Sequence, residues 1–121
     1  MLKSILLSGL LAMAITAPAQ SQARRMMWEE LADGVAIGLD LNSVESRQNN
    51  IVRYEVWTVL DGTVTQFYQL GTCDGTNLIA GYGIRQWENN VLVLNQTKNA
   101  PIRTAKSYDA LFLESACGEA F

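Results

Sequence analysis

From Val35 to Leu41 the chain alternates strictly. Val35, Ile37, Leu39 and Leu41 fall on one side, and Ala36, Gly38 and Asp40 on the other. A period of two over seven residues predicts a strand with one buried face. Asn42 and Ser43 are expected to end it, since both side chains bond locally to turn backbone. Val44 to Arg47 then reads as a single helical turn, and Gln48-Asn49-Asn50 as a second reversal. Ile51 to Leu60 is rich in β-branched and aromatic residues. Val52, Tyr54, Val56 and Leu60 share one face; Arg53, Glu55 and Trp57 share the other. Asp61-Gly62 predicts a type I′ hairpin, whose two central residues both need positive φ. Val64 to Cys73 is the returning strand. After a turn at Asp74-Gly75 that extends through Thr76-Asn77, Leu78, Ala80, Tyr82 and Ile84 alternate as another strand. Asn89-Asn90 turns the chain into a short strand from Val91 to Asn95. Met26 to Leu31, ahead of Asp33-Gly34, completes the set. About six strands at regular spacing predict an antiparallel meander.

The period then changes. Tyr108, Phe112, Leu113, Ala116 and Cys117 form a stripe at helical spacing. Ser107 is the expected N-cap, Asp109 suits the positive end of the helix dipole, and Gly118 is the expected stop. A one-layer sheet must cover its apolar face, and one helix laid across it does so. The predicted class is therefore α+β: a single antiparallel sheet of about six strands, meander-like, with a C-terminal helix packed on one face.

The first residues read as an address. Lys3 supplies a positive start and Ile5 to Ala14 is nearly unbroken apolar sequence. Ala17-Pro18-Ala19 and Ser21-Gln22-Ala23 place small residues where signal peptidase cuts. The expectation is a signal peptide over residues 1–23, cleaved after Ala19 or Ala23, and one domain over residues 24–121. The apolar run is shorter than the roughly 20 residues that span a bilayer. No cysteine lies near either cleavage point, which excludes a lipoprotein anchor, and no later stretch is long and apolar enough to cross a membrane. The exported chain is expected to be periplasmic or secreted.

Export sets the redox compartment for Cys73 and Cys117, the two cysteines of the chain. An isolated pair in an oxidising compartment reads as one structural disulfide. Cys117 lies on the helical stripe and Cys73 ends a strand, so the bridge staples helix to sheet.

This layout resembles the surface-adhesin protein E-like domain of exported bacterial proteins. The matching features are Trp28, the run Ile37-Gly38-Leu39-Asp40-Leu41-Asn42-Ser43-Val44, the strand Ile51 to Leu60, Cys73-Asp74 closing a strand, and Ala116-Cys117-Gly118 closing a helix. The resemblance spans about Met26 to Gly118. It implies an antiparallel sheet with a C-terminal helix on its concave side, tied by a disulfide, and adhesion to host extracellular proteins.

Composition narrows the chemistry. Among 121 residues there is no histidine, which removes the commonest general base and the histidine metal sites. Nine basic against twelve acidic residues give a net charge of −3, which argues against nucleic acid as a partner. No nucleophile elbow or phosphate loop occurs. Asp61 and Asp74 each precede glycine and are explained as turn residues. Asp40 is expected to bond turn amides, and Glu55 to form a solvated cross-strand ion pair beside Arg53 and Trp57. Glycine at 81 and 83, within a strand, predicts a bulge or close packing. No catalytic residue, metal or cofactor is expected. One surface stands out: Arg53 and Trp57 share a face of one strand, and Arg85 and Trp87 a face of another. If both faces point away from the helix, arginine and tryptophan form a recognition strip, the residue types that dominate binding hot spots. If not, the tryptophans pack in the core or against arginine stems. The expected function is a non-enzymatic, exported interaction module that binds a protein or cell-envelope partner through its sheet. An unpaired edge strand could also join two copies into a homodimer. The alternative is a periplasmic carrier or sensor holding a small apolar ligand between sheet and helix.

Overall fold

In the computed structural model, residues 25–121 are described. The expected signal peptide and both expected cleavage points lie outside them. Six strands follow one another in space as they do in sequence: β1 (Met26–Ala32), β2 (Val35–Arg47), β3 (Ile51–Leu60), β4 (Thr63–Thr72), β5 (Leu78–Glu88) and β6 (Val91–Thr97). All neighbours are antiparallel. A two-residue strand, β7 (Arg103–Thr104), pairs with the start of β5. Helix α1 (Tyr108–Ala120) lies over β2, β3 and β4. The antiparallel meander, the C-terminal helix and the disulfide stand as the residue pattern predicts.

The turns follow their chemistry. Asp61 and Gly62 both have positive φ, at 44° and 86°, and so do Asn89 and Asn90, at 49° and 68°. The three hairpin tips at this end are joined in series. The Asp61 N–H donates to the Gly34 carbonyl, and the Asn89 N–H to the Gly62 carbonyl, each at 3.3 Å.

The core lies between α1 and the sheet. Leu39, Val52, Tyr54, Val56, Ile79, Phe112, Leu113 and Ala116 are buried there. Contact is close. A Cβ at Gly71 would stand 2.3 Å from Cδ1 of Leu113, so glycine lets the helix down onto β4. Cys73, just past β4, is bonded to Cys117 near the end of α1, with Cα atoms 5.6 Å apart.

Several local expectations are corrected. Asn42-Ser43 does not end β2, and Val44 to Arg47 is extended rather than helical. The same side-chain bonds form but shape a bulge instead. The Asn42 N–H donates to Asp40 Oδ1, the Ser43 hydroxyl donates to the Asp40 carbonyl, and the Glu55 N–H donates to Ser43 Oγ. The pairing register slips between Asp40 and Glu45 and then continues. A short 3-10 turn, Gln48–Asn50, makes the reversal, with positive φ at Asn49 and Asn50. At the helix, Ser107 is the N-cap residue as expected but its side chain makes no cap hydrogen bond, Gly118 lies inside α1, and Tyr108 is exposed; α1 meets the core from Ala110 onward. Last, the alternation in β5 changes phase. The register slips opposite Tyr68 and Gln69, so Tyr82 is the extra residue of a bulge. One inserted residue moves everything beyond it to the other face. Ile79 and Ile84 therefore both face the helix, whereas Tyr82 faces away.

A cation–aromatic ladder as candidate functional site

The Tyr82 bulge decides where the candidate strip lies. Trp57 pairs with Gln66, and Gln66 with Arg85. Arg53, Glu55, Trp57, Gln66, Tyr68, Arg85 and Trp87 consequently share the sheet face opposite α1. All four residues of the candidate strip, on two strands, are brought to one surface. Cys73 and Cys117 lie elsewhere, at the helix end.

The side chains on this face form a ladder. The Trp57 and Trp87 rings stack, with centroids 5.7 Å apart and planes inclined by 17°. The Arg85 guanidinium lies 5.5 Å from the centroids of both Trp87 and Tyr68. Arg53 stands 5.9 Å from Tyr68 on its other flank, and Tyr68 leans on Tyr82 at 5.8 Å. The expected packing of tryptophan against arginine and the expected strip are thus one arrangement. The rungs are half-buried because they cover one another.

Gln66 is the hub, with 3% of its surface exposed. Its Nε2 donates to Glu55 Oε1 at 2.6 Å, and its Oε1 accepts from Arg85 Nε at 3.1 Å and from the Tyr68 hydroxyl at 3.2 Å. Arg85 also donates to the Tyr68 hydroxyl, and Arg53 Nε donates to the Tyr82 hydroxyl. Two of the five guanidinium N–H groups of Arg85 are therefore engaged. Arg53 has carboxylates near it, Glu55 at 3.8 Å and Glu45 at 3.9 Å. Glu55 thus neighbours Arg53 along its own strand and takes its hydrogen bond across β4 from Gln66. Tyr68, Tyr82 and Gln66 were absent from the sequence-derived strip. Alternation of β4 against β3 could have supplied Gln66 and Tyr68; Tyr82 needed the bulge.

Around the ladder, several described side chains of this face are exposed. Trp28 is 46% exposed and its ring lies against Gly38, where an added Cβ would come within 2.5 Å of it. A shallow depression lined by Ser46, Arg47, Gln48, Ile51 and Leu70 lies at the other end of the face. It is not between sheet and helix. The β6 edge carries exposed Val91, Leu92 and Val93. No group of three His, Cys, Asp or Glu side chains among the described residues is close enough to hold a metal. No helix among them is long and apolar enough to cross a membrane. Comparison of the chain with family models, curated proteins and solved structures finds no match.

Proposed function

We propose that the protein is an exported, non-enzymatic interaction module of the surface-adhesin protein E-like kind, which binds a protein partner through the sheet face opposite α1. The observation that carries this reading is the convergence of Arg53, Trp57, Arg85 and Trp87 on one face, opposite α1, where they pack on one another. Arginine and aromatic side chains held rigid by one another lose little freedom on binding, which favours affinity. A ligand carrier is less well supported, because Gly71 lets Leu113 sit directly on the sheet where such a ligand would lie. The Cys73–Cys117 bridge supports an oxidising destination.

The test is photo-crosslinking in cells that express the full chain, with benzoylphenylalanine in place of Trp28 on the open face or Glu114 on the outside of α1. A discrete protein adduct from position 28 and none from position 114 is expected. No adduct from position 28, or the same adducts from both, overturns the reading.

A further inference from the structure

Four of the five arginines among the described residues have a carboxylate within 4 Å: Arg25, Arg47, Arg53 and Arg103. Arg85 has none. It is half-buried, and its geometry is fixed by Gln66, Tyr68 and the Trp87 ring. The nearest acid in the network, Glu55, is kept from it by the amide of Gln66, which takes Glu55 on its nitrogen and Arg85 on its oxygen. A glutamate in place of that buried glutamine would neutralise Arg85 internally. The glutamine leaves one oriented guanidinium with three uncommitted N–H groups beside a stacked tryptophan pair.

Resting on the proposed protein-binding role, we infer that Arg85 receives a single carboxylate from an acidic side chain of the partner, flanked by an apolar residue that lies on Trp57 and Trp87. Guanidinium N–H groups match carboxylate oxygens in geometry, and desolvation by the neighbouring rings strengthens the pair. The charge on the face selects one negative charge and no more. Glu45 and Glu55 share this face with Arg53 and Arg85. Each further negative charge on a ligand adds repulsion from Glu45 and Glu55, so a polyanion or a phosphate dianion is disfavoured relative to a lone carboxylate.

The test uses protein purified from cells expressing the full chain, at low ionic strength. The probes are acetyl-Leu-Glu-Leu-amide, its glutamine counterpart, trigalacturonate and inorganic phosphate. NMR follows Arg85 Nε–H and the indole N–H of Trp57 and Trp87. The glutamate peptide is expected to shift all three saturably, and the glutamine peptide not at all. Gln66→Glu, which retains Arg85 but supplies its carboxylate from within, is expected to weaken binding at least tenfold. Arg85→Gln does the same and carries the test if Gln66→Glu fails to fold. No saturable shift, an equal response to the glutamine peptide, or affinity unchanged in the variants overturns the inference. An equal or stronger response to trigalacturonate or phosphate overturns a protein carboxylate as the source. Crosslinking from position 28 does not depend on Arg85, so its persistence beside a failed peptide titration would sink this inference and leave the interaction role standing.

Discussion

The Cys73–Cys117 bridge closes a loop of 44 positions that holds all of β5, β6 and β7, and most of α1. On the chain-entropy relation, closing a loop of this length removes about 13 cal/mol/K from the unfolded ensemble, or about 4 kcal/mol at 25 °C. That is a large share of the ~5–15 kcal/mol available to a domain of this size. Removing the bridge by Cys73→Ser with Cys117→Ser leaves the burial of Phe112, Leu113 and Ala116 in place, so the variant should still fold, with stability lower by about 2–4 kcal/mol. With a urea slope of about 1 kcal/mol/M, the midpoint should fall by about 2–4 M. The melting temperature should fall by roughly 10–30 °C, at ~4–8 °C per kcal/mol. Urea unfolding followed by circular dichroism, with the reduced wild type alongside, measures this. Amide exchange should rise first in the last turns of α1, which the bridge ties to Thr72 and Cys73. A loss below about 1 kcal/mol would refute the loop-entropy argument here.

Other perturbations probe other parts of the molecule. The Tyr54 hydroxyl is buried and finds no hydrogen-bond partner among the described residues. Tyr54→Phe should therefore leave stability unchanged or raise it by up to about 1 kcal/mol, since an unpaired polar group is removed rather than a bond. Burial, and secondarily the Asp109 carboxylate, raise the Tyr54 phenol above its ordinary value. The unfolded chain then releases this proton first as pH rises past about 10. Tyr54 should therefore contribute full stability below that pH and lose it above, at up to about 1.4 kcal/mol per pH unit. Urea melts of wild type and Tyr54→Phe at pH 9 and 11 should diverge in that direction. Gly71→Ala drives a methyl into Leu113 and should cost about 1–3 kcal/mol by chemical denaturation; an unchanged midpoint would mean that α1 shifts freely. Leu92→Lys with Val93→Lys on the uncharged β6 edge should reduce self-association, measured by light scattering, if that edge pairs copies.

Much of the fold was legible because several hairpins turn on residues with one clear local preference. Asp61-Gly62 and Asn89-Asn90 adopt positive φ at low cost and set the hairpins. The helix was legible through Phe112, Leu113 and Ala116, which recur on one face. Less legible was the outcome of interruptions that do not end a strand. Asp40, Asn42 and Ser43 bond to one another as they would in a turn, yet β2 resumes pairing with β3 beyond them. Turn chemistry reports a local departure from ladder geometry; whether the strand reverses or bulges is settled by its partner. The same holds for Gly81-Tyr82-Gly83. Its glycines announced an irregularity, but only pairing with Tyr68 and Gln69 shows that Tyr82 is the extra residue. The site depends on that residue. The parity of β5 determines whether Arg85 and Trp87 join Arg53 and Trp57 or lie beneath the helix.

The ladder also answers a structural problem, which bears on how its function can be tested. A sheet with one helix has a second face exposed to water. Leaving that face apolar invites aggregation, and leaving it loosely polar forgoes packing. Here rings and guanidinium groups pack over it, at about 0.5–1 kcal/mol per exposed cation–aromatic contact, with Gln66 satisfied at both ends of its amide. Stability and the proposed recognition therefore draw on the same side chains, and truncating Trp57 or Tyr68 is expected to lower both. Loss of binding in such a variant would say nothing about contact with a partner. Gln66→Glu separates the two effects in a way truncation does not. It keeps every ring and both arginines, adds an internal carboxylate to the one guanidinium that lacks one, and places that carboxylate beside Glu55. If Arg85 serves the fold alone, the added ion pair should be offset by repulsion from Glu55, leaving stability within about 1 kcal/mol and binding unchanged. If Arg85 serves a partner, stability should again change little while binding is lost.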